Sequence, residues 1–148
     1  MVTKEKRLFK GFDDYNSITR FVFDLETTAL EPKDGRIFMI GMKTNKGFSQ
    51  ELKPSIIASY NGFNFDWFWI FERAKALKLD IKKVAKTLNA MNPIKQSESM
   101  LKLANEVERF NQTSMWGYNV IDTLHAVRRA QAINSSIKSA GLKYITQY

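Results

Sequence analysis

The first sixty residues contain three short runs of apolar side chains, each with the length of a β-strand. Residues 21–26 alternate aromatic or branched side chains with polar ones, and the turn-forming segment 31–35 separates them from a second run at 36–42. We predict that these two strands pair antiparallel across the turn. Residues 56–60 read as a third, short buried strand, which ends in the loop-forming sequence at 61–64.

From residue 66 onward, apolar positions three or four residues apart predict helices. One helix begins at Asp66, a second runs from about 80 to 91, and the spacing at 98–110 predicts a third. A short strand at 117–121 follows, and Asp122 is placed to cap the helix after it. This order of elements predicts an α/β fold in which helices cover a mixed sheet.

Length and composition limit the kind of domain and the kind of site. The 148 residues suffice for one domain, and we expect residues 1–20 to be a lead-in to a domain at 21–148. The absence of cysteine excludes disulfides and thiolate zinc sites, and the single histidine, His125, excludes a histidine cluster. Any bound metal would therefore be held mainly by oxygen, which favours magnesium, manganese or calcium.

The charge of the chain indicates the kind of partner. Twenty-three basic and 15 acidic residues give a net charge of +8, which suits a polyanionic partner such as a nucleic acid. No apolar stretch approaches the roughly 20 residues that a membrane span needs, and the N-terminus lacks the apolar region of a signal peptide. We therefore expect a cytoplasmic protein with no membrane partner.

Three carboxylates are the candidates for chemistry. Asp24 and Glu26 stand two apart on a predicted strand, so both emerge on one face and repel each other unless a cation lies between them. A solvated strand edge is the alternative, although these acids interrupt the most apolar strand of the chain. Asp66 follows the next strand, where helix capping is its alternative role. Together the three could bind a pair of divalent ions of the kind that promote phosphodiester hydrolysis.

Two motifs stand in order along the chain, Phe-Asp-Leu-Glu-Thr-Thr at 23–28 and Tyr-Asn-Gly-Phe-Asn-Phe-Asp at 60–66. They resemble the first and second exonuclease motifs of family B DNA polymerases, and the resemblance extends from about residue 21 to the C-terminus. Further segments support it by resembling the parts of the family that lie around and after these motifs: Gly35-Arg36-Ile37, Ile40-Gly41, Ile121-Asp122, Asn134-Ser135, Ser139 and Leu142-Lys143-Tyr144.

The resemblance implies a ribonuclease H-like fold, here shortened, with a mixed sheet and flanking helices. It also implies a proofreading nuclease that removes nucleotides from the 3′ end of single-stranded DNA with two Mg²⁺ or Mn²⁺ ions. By this resemblance Asp24 would bridge both ions, Glu26 would bind one, and Asp66 would act through metal-bound water.

The same resemblance suggests which residues contact DNA. Asn61 would lie beside a single-strand groove, and Thr27 and Phe65 are further candidates for DNA contact. Four aromatic residues near the second motif are candidates for base stacking, with burial in the core as the alternative: Phe63, Phe65, Trp67 and Trp69.

Two features depart from the family pattern. A third motif, Tyr-x-x-x-Asp, should follow some tens of residues beyond 142–144, and these 148 residues do not contain it there. Tyr118 and Asp122 have this spacing, but Asp122 belongs to a predicted strand-to-helix junction. The link at 46–53 is shorter than the strand and helix usual in the family, which would leave one sheet edge uncovered and open to association. We expect His125 on a solvated or partner-facing side of its helix.

The preferred hypothesis is a fragment of a polymerase 3′–5′ exonuclease domain, from a virus or mobile element and acting in the host cytoplasm if viral. Its partners would be single-stranded DNA and the remainder of the polymerase. By itself the fragment is expected to be weak or inactive. The alternative hypothesis is a non-catalytic nucleic-acid-binding or assembly module with a degenerate exonuclease fold.

Overall fold

The computed structural model describes residues 14–48, 54–81, 83, 94–103 and 106–147. A 3₁₀ helix, Tyr15–Ser17, precedes the first strand. The strands and helices that follow are, in chain order, β1 Arg20–Thr27, β2 Ile37–Thr44, β3 Ile56–Ser59, α1 Asp66–Ala76, β4 Lys95–Leu103, β5 Glu106–Ser114, β6 Asn119–Asp122, α2 Thr123–Ile133 and α3 Leu142–Ile145.

The principal sheet has four strands in the order β2-β1-β3-β6. The β1 and β2 strands pair antiparallel, whereas β3 runs parallel to both β1 and β6. The predicted mixed sheet and the antiparallel β1–β2 pair are thus confirmed. Because β1, β3 and β6 are parallel, their carboxyl ends lie toward the same end of the sheet. This is the end at which the candidate acids of β1 and α1 are found.

The core lies on one face of this sheet, under α1. Phe23 and Leu25 of β1 are buried, whereas the intervening Asp24 is exposed, as the alternation of a strand requires. Phe23 packs edge-on against Trp67 of α1, with ring centroids 5.1 Å apart, and Trp69 is completely buried. Burial of large aromatic side chains of this kind stabilises a fold by about 2–3 kcal/mol each. It fixes α1, and hence its first residue, against β1.

The prediction of a helix at 98–110 is wrong, because β4 and β5 form an antiparallel hairpin there. Met100 and Val107, two of the apolar positions that suggested a helix, are exposed, while Leu101 and Phe110 face inward. The inward positions therefore follow the period of a strand, and the helical spacing was coincidental. Cross-strand pairing and a buried row of side chains outweigh such a local pattern.

Two other predictions have different outcomes. The helix predicted from about 80 to 91 lies for the most part outside the described residues, as does most of the lead-in at 1–20. Within the described residues β2 pairs with β1 alone and is an edge strand of the sheet, and association through this edge stays a prediction. Among the described helices, none is long and apolar enough to cross a membrane.

Candidate functional site

The acids of β1 lie on the part of the strand that extends past β3. The β1–β3 pairing includes Val22 but no later residue of β1. Asp24 and Glu26 follow it, and both side chains are exposed on the face opposite the core. Asp24 and Glu26 therefore lie on the same face of β1, as predicted, and both carboxylates are accessible to a ligand.

Asp66 lies beside this extension of β1. The backbone N–H of Leu25 donates a hydrogen bond to Asp66 Oδ1 at 2.9 Å, on a part of β1 where no β3 pairing is found. Asp66 is only 1% exposed, and it is the first residue of α1. Its carboxylate therefore connects α1 to the backbone of Leu25, which lies between Asp24 and Glu26. Asp66 thus lies close to β1, as the sequence predicted.

The surroundings of Asp66 favour its protonated form. Burial raises its pKa from 3.8 to about 6, and the negative charges of Asp24 and Asp122 also raise it, against the lowering effect of the Leu25 N–H. The effect of Asp24 indicates that the two carboxylates lie close enough to interact. At neutral pH without a cation, the site thus holds carboxylates that repel one another.

This pKa predicts an unusual dependence of stability on pH. Because the folded pKa of Asp66 lies above its ordinary value of 3.8, its contribution is most favourable at low pH and is lost as the pH rises through about 6. Asp66→Asn, which retains an acceptor for Leu25, should remove this decline and raise the free energy of unfolding at pH 7 by on the order of 2–3 kcal/mol. Denaturant titrations from pH 4 to 8 in EDTA test this expectation. The exposed Asp34→Asn serves as control, and parallel curves for Asp66→Asn and wild type would contradict it.

The oxygen donors suit a hard divalent cation, but a complete metal cage is absent from the part of the chain that the structure describes. Those residues contain no group of three or more acidic, histidine or cysteine side chains arranged to hold a metal ion. Asp24 and Glu26 present exposed carboxylates, whereas Asp66 already uses Oδ1 for Leu25. The described residues therefore suit one divalent ion held by Asp24 and Glu26, with Asp66 beside it.

Asp122 has a larger role than its sequence position suggested. It caps α2 as predicted, accepting from the Leu124 N–H at 3.0 Å. The same buried carboxylate also accepts from the backbone N–H groups of Asn61 at 2.8 Å and Phe63 at 3.0 Å. These partners are about sixty residues away in sequence, so no local signal could reveal them. Asp122 thus anchors the loop that leads to Asp66.

Most of the aromatic residues proposed for base stacking belong to the core. Phe63, Trp67 and Trp69 are 3%, 6% and 0% exposed, so they are not available for base stacking, and the alternative, burial in the core, is the one found. Burying their apolar surface in the core lowers the free energy of the fold more than exposing it in a solvated groove. Aromatic residues at this spacing are therefore usually buried. Phe65 is half-buried, and a role for it in DNA contact stays a prediction.

The other two candidates for DNA contact have defined local conformations. Asn61 adopts a left-handed conformation with φ of 61°, which asparagine tolerates better than most residues. The Thr27 hydroxyl donates to the carbonyl of Ala29 at 2.8 Å, within the turn after β1. Thr27 directly follows Glu26, and Asn61 precedes Asp66 by five residues. DNA contact by either stays a prediction.

His125 differs from its predicted environment. It is half-buried and packs edge-on against Phe110 of the β4–β5 hairpin, with ring centroids 4.3 Å apart, and it also contacts Phe63. Burial lowers its pKa, in keeping with a packed imidazole. The unforeseen hairpin supplies this contact, so the prediction of a solvated or partner-facing histidine is wrong.

Comparisons with known proteins agree with this architecture. The profile of the DNA polymerase family B exonuclease domain matches residues 39–145, which is most of the chain and includes the second motif. The chain belongs to this family. Membership confirms the resemblance seen in the sequence. Exonuclease domains of this family depend on divalent metal ions.

A solved structure shows that this exonuclease domain has the fold expected for the family. The family B DNA polymerase of the hyperthermophilic archaeon Pyrobaculum calidifontis superposes with a TM-score of 0.61 at 21% sequence identity. The match covers 88% of this chain and 18% of the polymerase chain. A search of curated protein sequences finds no significant match.

Proposed function

We propose that this chain acts as a 3′–5′ exonuclease domain that removes nucleotides from single-stranded DNA with Mg²⁺ or Mn²⁺, as part of a polymerase. The observation that carries the proposal is the hydrogen bond from Leu25 to Asp66. It brings the carboxylate of the second motif to the peptide between the two carboxylates of the first. Three acids from two motifs around one strand suit the two-ion chemistry of phosphodiester hydrolysis.

Each residue would have a distinct task in this proposal. Asp24 and Glu26 would bind the divalent ions, which supply activation of the attacking water and stabilisation of the leaving oxygen. Asp66, which accepts a hydrogen bond from the Leu25 N–H beside them, would act through metal-bound water. Asn61 and Thr27 would contact the DNA strand.

Metal binding provides the direct test of this arrangement. We expect Mn²⁺ to bind with affinity that falls at least about tenfold in Asp24→Asn, because one of the two exposed carboxylates on β1 loses its charge. Isothermal titration calorimetry at pH 7 measures this change. Asp34→Asn, which removes an exposed carboxylate from the turn before β2, should bind Mn²⁺ like the wild type. Equal affinity in wild type and Asp24→Asn would contradict the assignment of Asp24.

A non-catalytic nucleic-acid-binding or assembly module is the second candidate function. The observation that favours it is the absence, within the described ranges, of three or more acidic or histidine side chains arranged around a metal. Such a module with a net charge of +8 would bind single-stranded DNA with an affinity that falls steeply as the salt concentration rises. Its DNA affinity would show no specific dependence on Mn²⁺. Binding that responds to Mn²⁺ and to Asp24→Asn favours the nuclease.

A further inference from the structure

The buried carboxylate of Asp122 joins three parts of the fold. Asp122 is 6% exposed at the junction of β6 and α2. Its Oδ1 accepts from the N–H groups of Asn61 and Leu124, and its Oδ2 accepts from the N–H of Phe63. Hydrogen bonds to an ionised acceptor are stronger than neutral ones. A single side chain therefore determines where the loop between β3 and α1 lies relative to the start of α2.

The loop that Asp122 anchors is connected directly to the first turn of α1. The Phe65 N–H donates to the Asn61 carbonyl at 3.0 Å, and the Trp67 N–H donates to the Gly62 carbonyl at 2.8 Å. Asp66 lies between these two donors and accepts from Leu25. A shift of the loop would consequently move both the side chain of Asn61 and the carboxylate beside β1.

The left-handed conformation of Asn61 is one that such an anchor would favour. Its φ of 61° lies in the left-handed region, which is less populated than the right-handed region for a residue with a side chain. An unanchored loop would sample other conformations, and a DNA ligand would then have to select the one in which Asn61 points correctly. Because Asp122 already holds the loop in one conformation, the free energy of selecting that conformation is not subtracted from the DNA affinity.

We propose that Asp122 is a positioning residue that holds Asn61 ready to contact single-stranded DNA. This inference rests on the proposed function, since it assumes that DNA binds along the second motif. Asp122 itself contacts no DNA in this account. It acts through the backbone amides of Asn61 and Phe63.

Two substitutions separate the anchor from the helix cap. Serine is a good N-cap residue, so Asp122→Ser keeps the cap on Leu124 but is too short to hold both loop amides. Amide hydrogen exchange measured by NMR should be at least about tenfold faster at Asn61 and Phe63 than in wild type, and unchanged at Leu124. Asp122→Asn, which keeps one acceptor oxygen, should lose protection at one loop amide and provides a second variant if the serine variant does not fold.

A double-mutant cycle on DNA affinity tests whether Asp122 acts through Asn61. We expect Asp122→Ser and Asn61→Ala each to weaken binding of a single-stranded oligonucleotide about tenfold, and the double variant to bind no more weakly than either one. Additive losses, or unchanged loop exchange, would overturn the positioning role. Absence of binding by the unmodified chain would instead overturn the proposed function, and this inference with it.

Discussion

Gly62→Ala is expected to lower the free energy of unfolding by about 3 kcal/mol, because this position has no room for a methyl group. A Cβ at Gly62 would lie 1.8 Å from Ser59 Oγ, 2.5 Å from Ser59 Cβ and 3.1 Å from Asp66 Oδ2. Ser59 is 1% exposed at the end of β3, so it cannot move aside without a shift of the strand or the loop. Urea denaturation followed by tryptophan fluorescence measures the loss.

Gly41→Ala provides the matched control for this substitution. Gly41 lies in β2, and a Cβ there would meet only the Asp24 carbonyl, at the ordinary contact distance of 3.8 Å. We expect Gly41→Ala to change stability by less than about 1 kcal/mol. Adding Ser59→Gly to Gly62→Ala should recover part of the loss, since both of the closest contacts disappear. Equal stability of the two alanine variants would show that the loop is not tightly packed.

The strands of the principal sheet could be predicted because their signals are local. Alternation around Asp24 located β1, the turn at 31–35 located β2, and both assignments agree with the structure. The hairpin at 95–114 could not be predicted in the same way. Its inward row, with Leu101 and Phe110, is sparse, and its strands are specified mainly by pairing with each other.

The candidate site shows the same division between local and long-range information. The shared face of Asp24 and Glu26 follows from the period of a strand, which sequence alone supplies. The hydrogen bond between Leu25 and Asp66, and the bonds from Asp122 to the loop, join residues 41 and about 60 positions apart. Recognition of the two motifs indicated that these segments meet. It could not indicate which backbone groups hold them together.

A polypeptide limited to these 148 residues is expected to digest single-stranded DNA at least about a thousandfold more slowly than the same polypeptide joined to a segment that carries a Tyr-x-x-x-Asp motif. The physical reason is the incomplete metal environment: the described residues offer Asp24, Glu26 and the partly engaged Asp66, without a further acid to fix the ions. Hydrolysis of this kind depends on the positions of the ions and of the attacking water. A 3′-end digestion assay with a labelled oligonucleotide and Mn²⁺ measures the rates.

The effect of Asp24→Ala on the joined polypeptide decides whether these acids carry the reaction. We expect the substitution to abolish 3′–5′ digestion, since it removes one of the two exposed carboxylates that would hold metal on β1, whereas Asp34→Ala should leave the rate unchanged. DNA binding should survive Asp24→Ala, because the positive charge that attracts the strand does not depend on Asp24. Rapid Mn²⁺-dependent digestion by the 148 residues alone, unaffected by Asp24→Ala, would place the active groups elsewhere on the chain.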